Sequence, residues 1–179
     1  MTPAPWWLPL LAVGALGAQR LLEVRRSRAN EKRALAAGGR VVETAQERGL
    51  IALHSAWLAG TLVESLLRGV PVPSIWPAFL ALFLAGQGLR WWAISTLGER
   101  WTTRIVVWPG RAPVKAGPYR FTAHPNYLGV ALELLAFPLL FGAQFTAVGA
   151  SLANAFLLLR RARAEELALA EAFGESDGR

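Results

Sequence analysis

The chain has no cysteine among its 179 residues, which excludes a disulfide framework, a thiolate metal site and a cysteine nucleophile. No metal centre is expected. Charge is scarce as well, at 17% of residues against 54% apolar, and one compact unit over residues 1–179 is expected rather than two domains. The scarcity is uneven. Five charge-poor blocks stand out: Trp6 to Ala18, Leu50 to Leu67, Ile75 to Leu89, Leu128 to Ala143 and Phe145 to Leu159. Each approaches the length a bilayer requires once flanking Trp, Tyr and Arg are included, though several fall short of about 20 residues alone. A soluble bundle would show polar residues at helical spacing on each exposed face. Ala78 to Gly86, AFLALFLAG, is instead apolar all the way round.

The net charge of +7 raises the question of nucleic acid, and the placement of the basic residues answers it. Alternating the five blocks across a bilayer puts seventeen of the nineteen Lys and Arg on one face, leaving Arg68 on the other and Arg90 near the inner end of its helix. This follows the positive-inside rule, with the N-terminus outside and the C-terminus in the cytoplasm. Nucleic acid is not needed as a partner; membrane lipid is. The expected fold is an all-α integral membrane protein of about five transmembrane helices, with a cytoplasmic cofactor-binding loop and C-terminal helix.

Along the chain, Trp6 to Ala18 reads as a retained anchor rather than a signal peptide, because its positive charge comes after the apolar stretch. The helix is expected to continue through LLEVRRSRANEKRALAAGG and stop at Gly38-Gly39. Its basic run reads as a solvated face attracted to anionic lipid. Val41 to Gly49 is expected to be a polar connection, with a second helix from near Leu50 carrying His54 toward its inner end and Glu64, read as an interfacial snorkelling residue, toward its outer end. Arg90 likewise reads as snorkelling. Ser95 to Ala123 is the longest non-hydrophobic stretch, and a short strand or hairpin is expected around Thr102 to Trp108, turned by Pro109-Gly110.

Gly117 to Glu133, GPYRFTAHPNYLGVALE, concentrates hydrogen-bonding side chains at the start of an apolar helix and reads as a cofactor site. Gly117-Pro118 makes a turn, Tyr119 and Arg120 follow as donors, and His124-Pro125 enters the helix with proline where its missing N–H costs little. The unpaired N–H groups there, beside Arg120 and His124, form a polar socket. Asn126, Val130, Glu133 and Phe137 share one helix face, so Glu133 should face the bundle interior, either as a functional carboxylate or paired with Arg90, His54 or Asn154. Near the C-terminus, Arg161 and Glu165 are four apart and by themselves suggest an ordinary surface ion pair.

GPYRFTAHPNYLG, preceded by Leu97-Gly98 and Trp101 and followed by RRARAEELALAEAFG, resembles the isoprenylcysteine carboxyl methyltransferase family of membrane enzymes that use S-adenosylmethionine. The resemblance covers about residues 90–174. With RWWAISTLGERWTTRI and HPNYLGVALE, the chain is most similar to the bacterial branch associated with type III polyketide synthases, whose members O-methylate alkylpyrones or alkylresorcinols. That resemblance implies a multi-pass protein of the bacterial inner membrane with a cytoplasmic active site. It implies that Gly117, Pro118, Tyr119, Arg120, His124, Pro125 and Tyr127 build the cofactor pocket, that Glu165 or Glu166 closes it, and that Arg161 lies near the transferred methyl. It also implies a lipophilic acceptor entering from the bilayer and pairing with a type III polyketide synthase. Candidates for a base are His124, Glu133 and His54, in falling order. Two departures stand out: Ala123 occupies the place before His-Pro where many members carry Arg, and no aromatic residue follows Phe173-Gly174. The competing expectations are a carboxyl methyltransferase acting on prenylcysteine, an NADPH-dependent membrane reductase and a non-catalytic membrane subunit.

Overall fold

The computed structural model describes residues 4–42, 46–108 and 110–174. Five helices dominate: α1 (Trp7–Ala36), α2 (Gln46–Leu67), α3 (Trp76–Leu97), α4 (Pro125–Leu140) and α5 (Gln144–Gly174). Two short strands, β1 (Arg40–Val42) and β2 (Ile105–Val107), pair antiparallel with Val41 opposite Val106. The strand foreseen near Thr102 to Trp108 therefore exists, but its partner is β1 and not a local hairpin. The polar connection expected from Val41 is instead this strand followed by α2, which starts at Gln46, four residues before Leu50. Pro109 lies outside the described residues.

α1 and α2 are long and apolar enough to cross a membrane, and the apolar windows of both are mostly unburied within the protein. Leu11, Leu67, Leu84, Leu152 and Phe156 are each more than half exposed. Such a belt of outward-facing aliphatic and aromatic side chains suits lipid and not water. The interior is organised on α4. Phe137 packs against Trp57 and Phe83 at tilted angles and against Phe141 edge to face, at centroid distances of 5.3 to 5.5 Å. Pro138 has no N–H to return to the Leu134 carbonyl one turn earlier, and the Trp57 indole N–H donates to that oxygen at 3.2 Å.

α3 and α4 approach closely because Gly86 and Gly129 face one another; a Cβ on Gly129 would collide with Arg90 and with the Gly86 carbonyl. One turn along each helix from that contact come Arg90 and Glu133. Glu133 is 1% exposed and pairs with Arg20 of α1 and with Arg90, whose Nε lies 3.1 Å away without the alignment of a hydrogen bond. Glu23 completes the group, 2.6 Å from Arg20 and 2.5 Å from Arg90. Arg90 is thus turned inward and does not snorkel. Of the partners foreseen for Glu133, Arg90 is present and His54 and Asn154 are not; Arg20 was missed, as was Glu23, which shares the two arginines.

The ends of the helices are fixed by other polar contacts. Glu64, expected to snorkel, accepts from the Phe145 and Thr146 N–H groups (3.0 and 2.8 Å) and from the Thr146 hydroxyl (2.8 Å), capping α5. The basic extension of α1 is not solvated all round: Ser27, Asn30 and Ala34 are buried. Asn30 Nδ2 donates to the Gly98 and Trp101 carbonyls, and Ser27 Oγ accepts from the Thr103 N–H. Arg104 links Glu31 of α1 to Glu47 of α2 at 3.0 and 3.1 Å. The long loop after α3 is thereby held against α1.

Replacing Glu133 by Ala leaves Arg20 and Arg90 buried with a single shared carboxylate. We expect a loss of roughly 3–5 kcal/mol, read as a lower unfolding temperature in detergent. An unchanged melting profile would mean that the cluster does not hold the bundle.

Candidate active site

At the end of the bundle where the basic residues gather, a cavity of about 1500 Å³ opens between α1, α2, α4, α5 and the loop of residues 100–123. Its wall includes Tyr119, Arg120, His124, Tyr127, Arg161, Glu165 and Glu166. The two stretches contributing these residues are about forty positions apart in sequence, and the antiparallel packing of α4 on α5 brings them face to face.

The Tyr127 hydroxyl is the junction. It donates to Glu165 Oε2 at 2.5 Å and accepts from Arg161 Nε at 2.8 Å. Arg161 and Glu165 therefore meet through a phenol, and not as the direct surface pair that their spacing alone suggests. Arg161 is 6% exposed and also donates from Nη2 to the Thr103 carbonyl at 2.6 Å, so the loop anchored on α1 fixes its direction. The His124 ring stacks on Tyr127, with centroids 4.9 Å apart and planes within 4°. Its Nε2 is 3.1 Å from Glu166 and its Nδ1 3.9 Å from Glu165.

The turn before α4 sets the approach. Gly117 has φ of +54°, and a Cβ there would run into Thr96 and Trp92. Pro118 and Pro125 are buried. These three residues shape the chain from behind and do not line the cavity, whereas Tyr119 and Arg120 do. Burial, and second the Glu165 carboxylate, raise the Tyr119 phenol above the ordinary tyrosine range. Glu133 also stands apart: it is enclosed by the two arginines and absent from the cavity wall, although Arg20, Glu23 and Arg90 reach it. Ala123 lies on the rim, and Phe173, late on α5, contributes an aromatic wall.

A ligand site must offer more than an open volume. Beyond the Nε atoms of Arg20 and Arg90, which belong to the cluster around Glu133, two polar atoms of this wall are buried without a hydrogen-bond partner among the described residues: the Asn126 side-chain oxygen and the Trp108 indole N–H. One acceptor and one donor held this way suit a ligand with its own hydrogen-bonding groups. Glu165 and Glu166 add two carboxylates able to accept a cationic group, in a wall that elsewhere carries Lys and Arg in excess. S-adenosylmethionine, with a sulfonium, an ammonium, a carboxylate and a nucleoside, meets both conditions. Sequence reasoning missed Trp108, whose only signal was an aromatic residue in a polar loop.

These features define a helical, membrane-type protein with a polar ligand cavity at one end of its bundle. Residues 79–171 match the isoprenylcysteine carboxyl methyltransferase (ICMT) family, and the chain belongs to it. The family consists of S-adenosylmethionine-dependent methyltransferases, so this is a membrane methyltransferase-like protein. It is 37% identical over 161 residues to the uncharacterized protein YpbQ of Bacillus subtilis, covering 90% of this chain and 96% of that one. It is 24% identical over 147 residues to an uncharacterized protein of Haemophilus influenzae, covering 81% and 86% respectively. No solved structure matches.

Tyr127→Phe removes the hydroxyl that joins Arg161 to Glu165. Calorimetry should show S-adenosylhomocysteine bound about tenfold more weakly, the equivalent of about 1.4 kcal/mol; equal affinity would separate the junction from ligand binding. The raised Tyr119 phenol gives a second expectation. It is neutral in folded and unfolded chains below the usual tyrosine value of about 10, so its contribution is constant there and stability falls as pH rises above that value. Tyr119→Phe should flatten this alkaline loss in a thermal-melt series, and an identical slope in both proteins would count against it.

Proposed function

We propose that the protein is an S-adenosylmethionine-dependent methyltransferase that O-methylates a lipophilic enol or phenol, such as an alkylpyrone or alkylresorcinol. The observation that carries this reading is the Tyr127 hydroxyl held between Arg161 and Glu165 in the wall of a cavity that continues between α1 and α2. There the lining becomes apolar, with Gly17, Leu21 and Val24 on one side and Ile51 and Leu58 on the other. Leu21 and Ile51 are 67% and 63% exposed, so the gap opens sideways toward lipid. In this reading all five helices cross the bacterial inner membrane, and the cavity faces the cytoplasm, where the basic residues belong.

S-adenosylmethionine when bound supplies an electrophilic methyl group on a positively charged sulfur. Arg161, fixed by Thr103 and Tyr127, orients the reacting end. Glu165 and Glu166 hold the cationic end, and the His124–Tyr127 stack walls off water. Positioning and dehydration are the main contributions expected from a methyl-transfer site, since charge is lost along the reaction. Glu133 is assigned to holding the bundle rather than to moving a proton. A type III polyketide synthase is the class of enzyme that would supply the tailed acceptors.

Purified protein in detergent, given methyl-labelled cofactor, should label long-chain hydroxypyrones or resorcinols and leave prenylcysteine acceptors unlabelled. Labelling of prenylcysteine alone would replace the proposal with a carboxyl methyltransferase. Binding of NADPH without S-adenosylhomocysteine would replace it with a reductase, and binding of neither to folded protein with a non-catalytic subunit.

A further inference from the structure

Three side chains are candidates to accept a proton from the acceptor, and the geometry separates them. His124 is committed to Glu166 through Nε2 and to the Tyr127 ring through its face. Glu133 is enclosed by Arg20 and Arg90 and does not reach the cavity. His54 remains. Its Nδ1 lies 2.8 Å from the Leu50 carbonyl, which can only accept, so Nδ1 carries the hydrogen and the lone pair of the neutral ring is on Nε2. Among the described residues Nε2 has no hydrogen-bond partner, and it is not sealed from solvent. Trp57 meets the ring edge-on at 6.1 Å and limits its rotation.

The placement is equally specific. α2 and α4 both enter the bundle from the cavity end, and Trp57 meets α4 at the Leu134 carbonyl. His54, about one turn before Trp57, therefore lies roughly one turn deeper than Tyr127. That is the depth at which the polar wall gives way to the lateral apolar gap, since Ile51, Ser55 and Leu58 line the same stretch. The charged groups in reach of the ring are Arg20 and Glu23 from α1 and Arg90 from α3. Arg20 and Arg90 also line the cavity.

Resting on the methyltransferase reading above, we infer that His54 Nε2 accepts the hydroxyl proton of a tailed phenol entering between α1 and α2. As the hydroxyl oxygen forms its bond to the methyl carbon, the carbon–sulfur bond breaks with its electron pair passing to sulfur, and the proton moves to Nε2. The imidazolium then releases that proton to water. This arrangement selects for neutral phenols. An acidic enol arrives ionised and needs no base, while a carboxylate has no proton to give.

The test compares wild type with His54→Gln on a long-chain alkylresorcinol and a long-chain hydroxypyrone, with S-adenosylhomocysteine binding as the check on folding. The ratio of kcat/KM for the resorcinol to that for the pyrone should fall about 100-fold in the variant. A ratio that stays the same, whatever the absolute rates, overturns the assignment. A second readout needs no turnover: a long-chain nitrophenol bound to cofactor-free protein should show its phenolate absorbance at lower pH in wild type than in His54→Gln, and coincident titrations overturn the assignment as well. Wild type that methylates neither acceptor defeats the methyltransferase reading instead, and the nitrophenol titration still decides the role of His54.

Discussion

Two arginines and two glutamates enclosed between the helices set the geometry of this protein. Ionised groups in hydrocarbon are tolerated when they face one another, and Arg20, Glu23, Arg90 and Glu133 neutralise each other across three helices. Gly86 and Gly129 make the pairing possible by letting α3 and α4 touch. An arginine or a glutamate left unmatched would hold the helices apart or draw in water; the matched set closes them. Because Arg20, Glu23 and Arg90 also border the cavity, the same cluster forms its floor.

From that floor to the surface, each functional side chain is fixed by a neighbour from another element. α1 extends past the bundle and holds the loop after α3 through Ser27 and Asn30. The loop presents the Thr103 carbonyl to Arg161, and Arg161 in turn meets Tyr127. Such a relay explains why a helix of 30 residues is needed where a membrane crossing takes about 20.

Several features were legible because they depend on local pattern. The apolar blocks marked the five helices, Gly38-Gly39 marked the end of α1, and His124-Pro125 marked the start of α4. The shared face of Val130, Glu133 and Phe137 followed from helical spacing, and all three are buried. The errors fell where a partner distant in sequence decides. Glu64 looked like a free snorkelling side chain until α5 placed two N–H groups over it, and Arg90 looked like one until α1 and α4 supplied carboxylates. β2 found its partner in β1, more than sixty residues earlier, and not in a local turn.

The sequence by itself determined which segments leave water, which end of the bundle is basic, and which residue types gather near Gly117 to Tyr127 and Arg161 to Glu166, because hydropathy and helical period are properties of neighbours along the chain. Only the tertiary structure decided that Tyr127 joins Arg161 to Glu165, that Glu133 is enclosed by arginines, and that His54 is left facing the cavity. Those outcomes depend on how helices distant in sequence cross. A side chain's chemistry is set by the groups that surround it, and here those groups come from other helices.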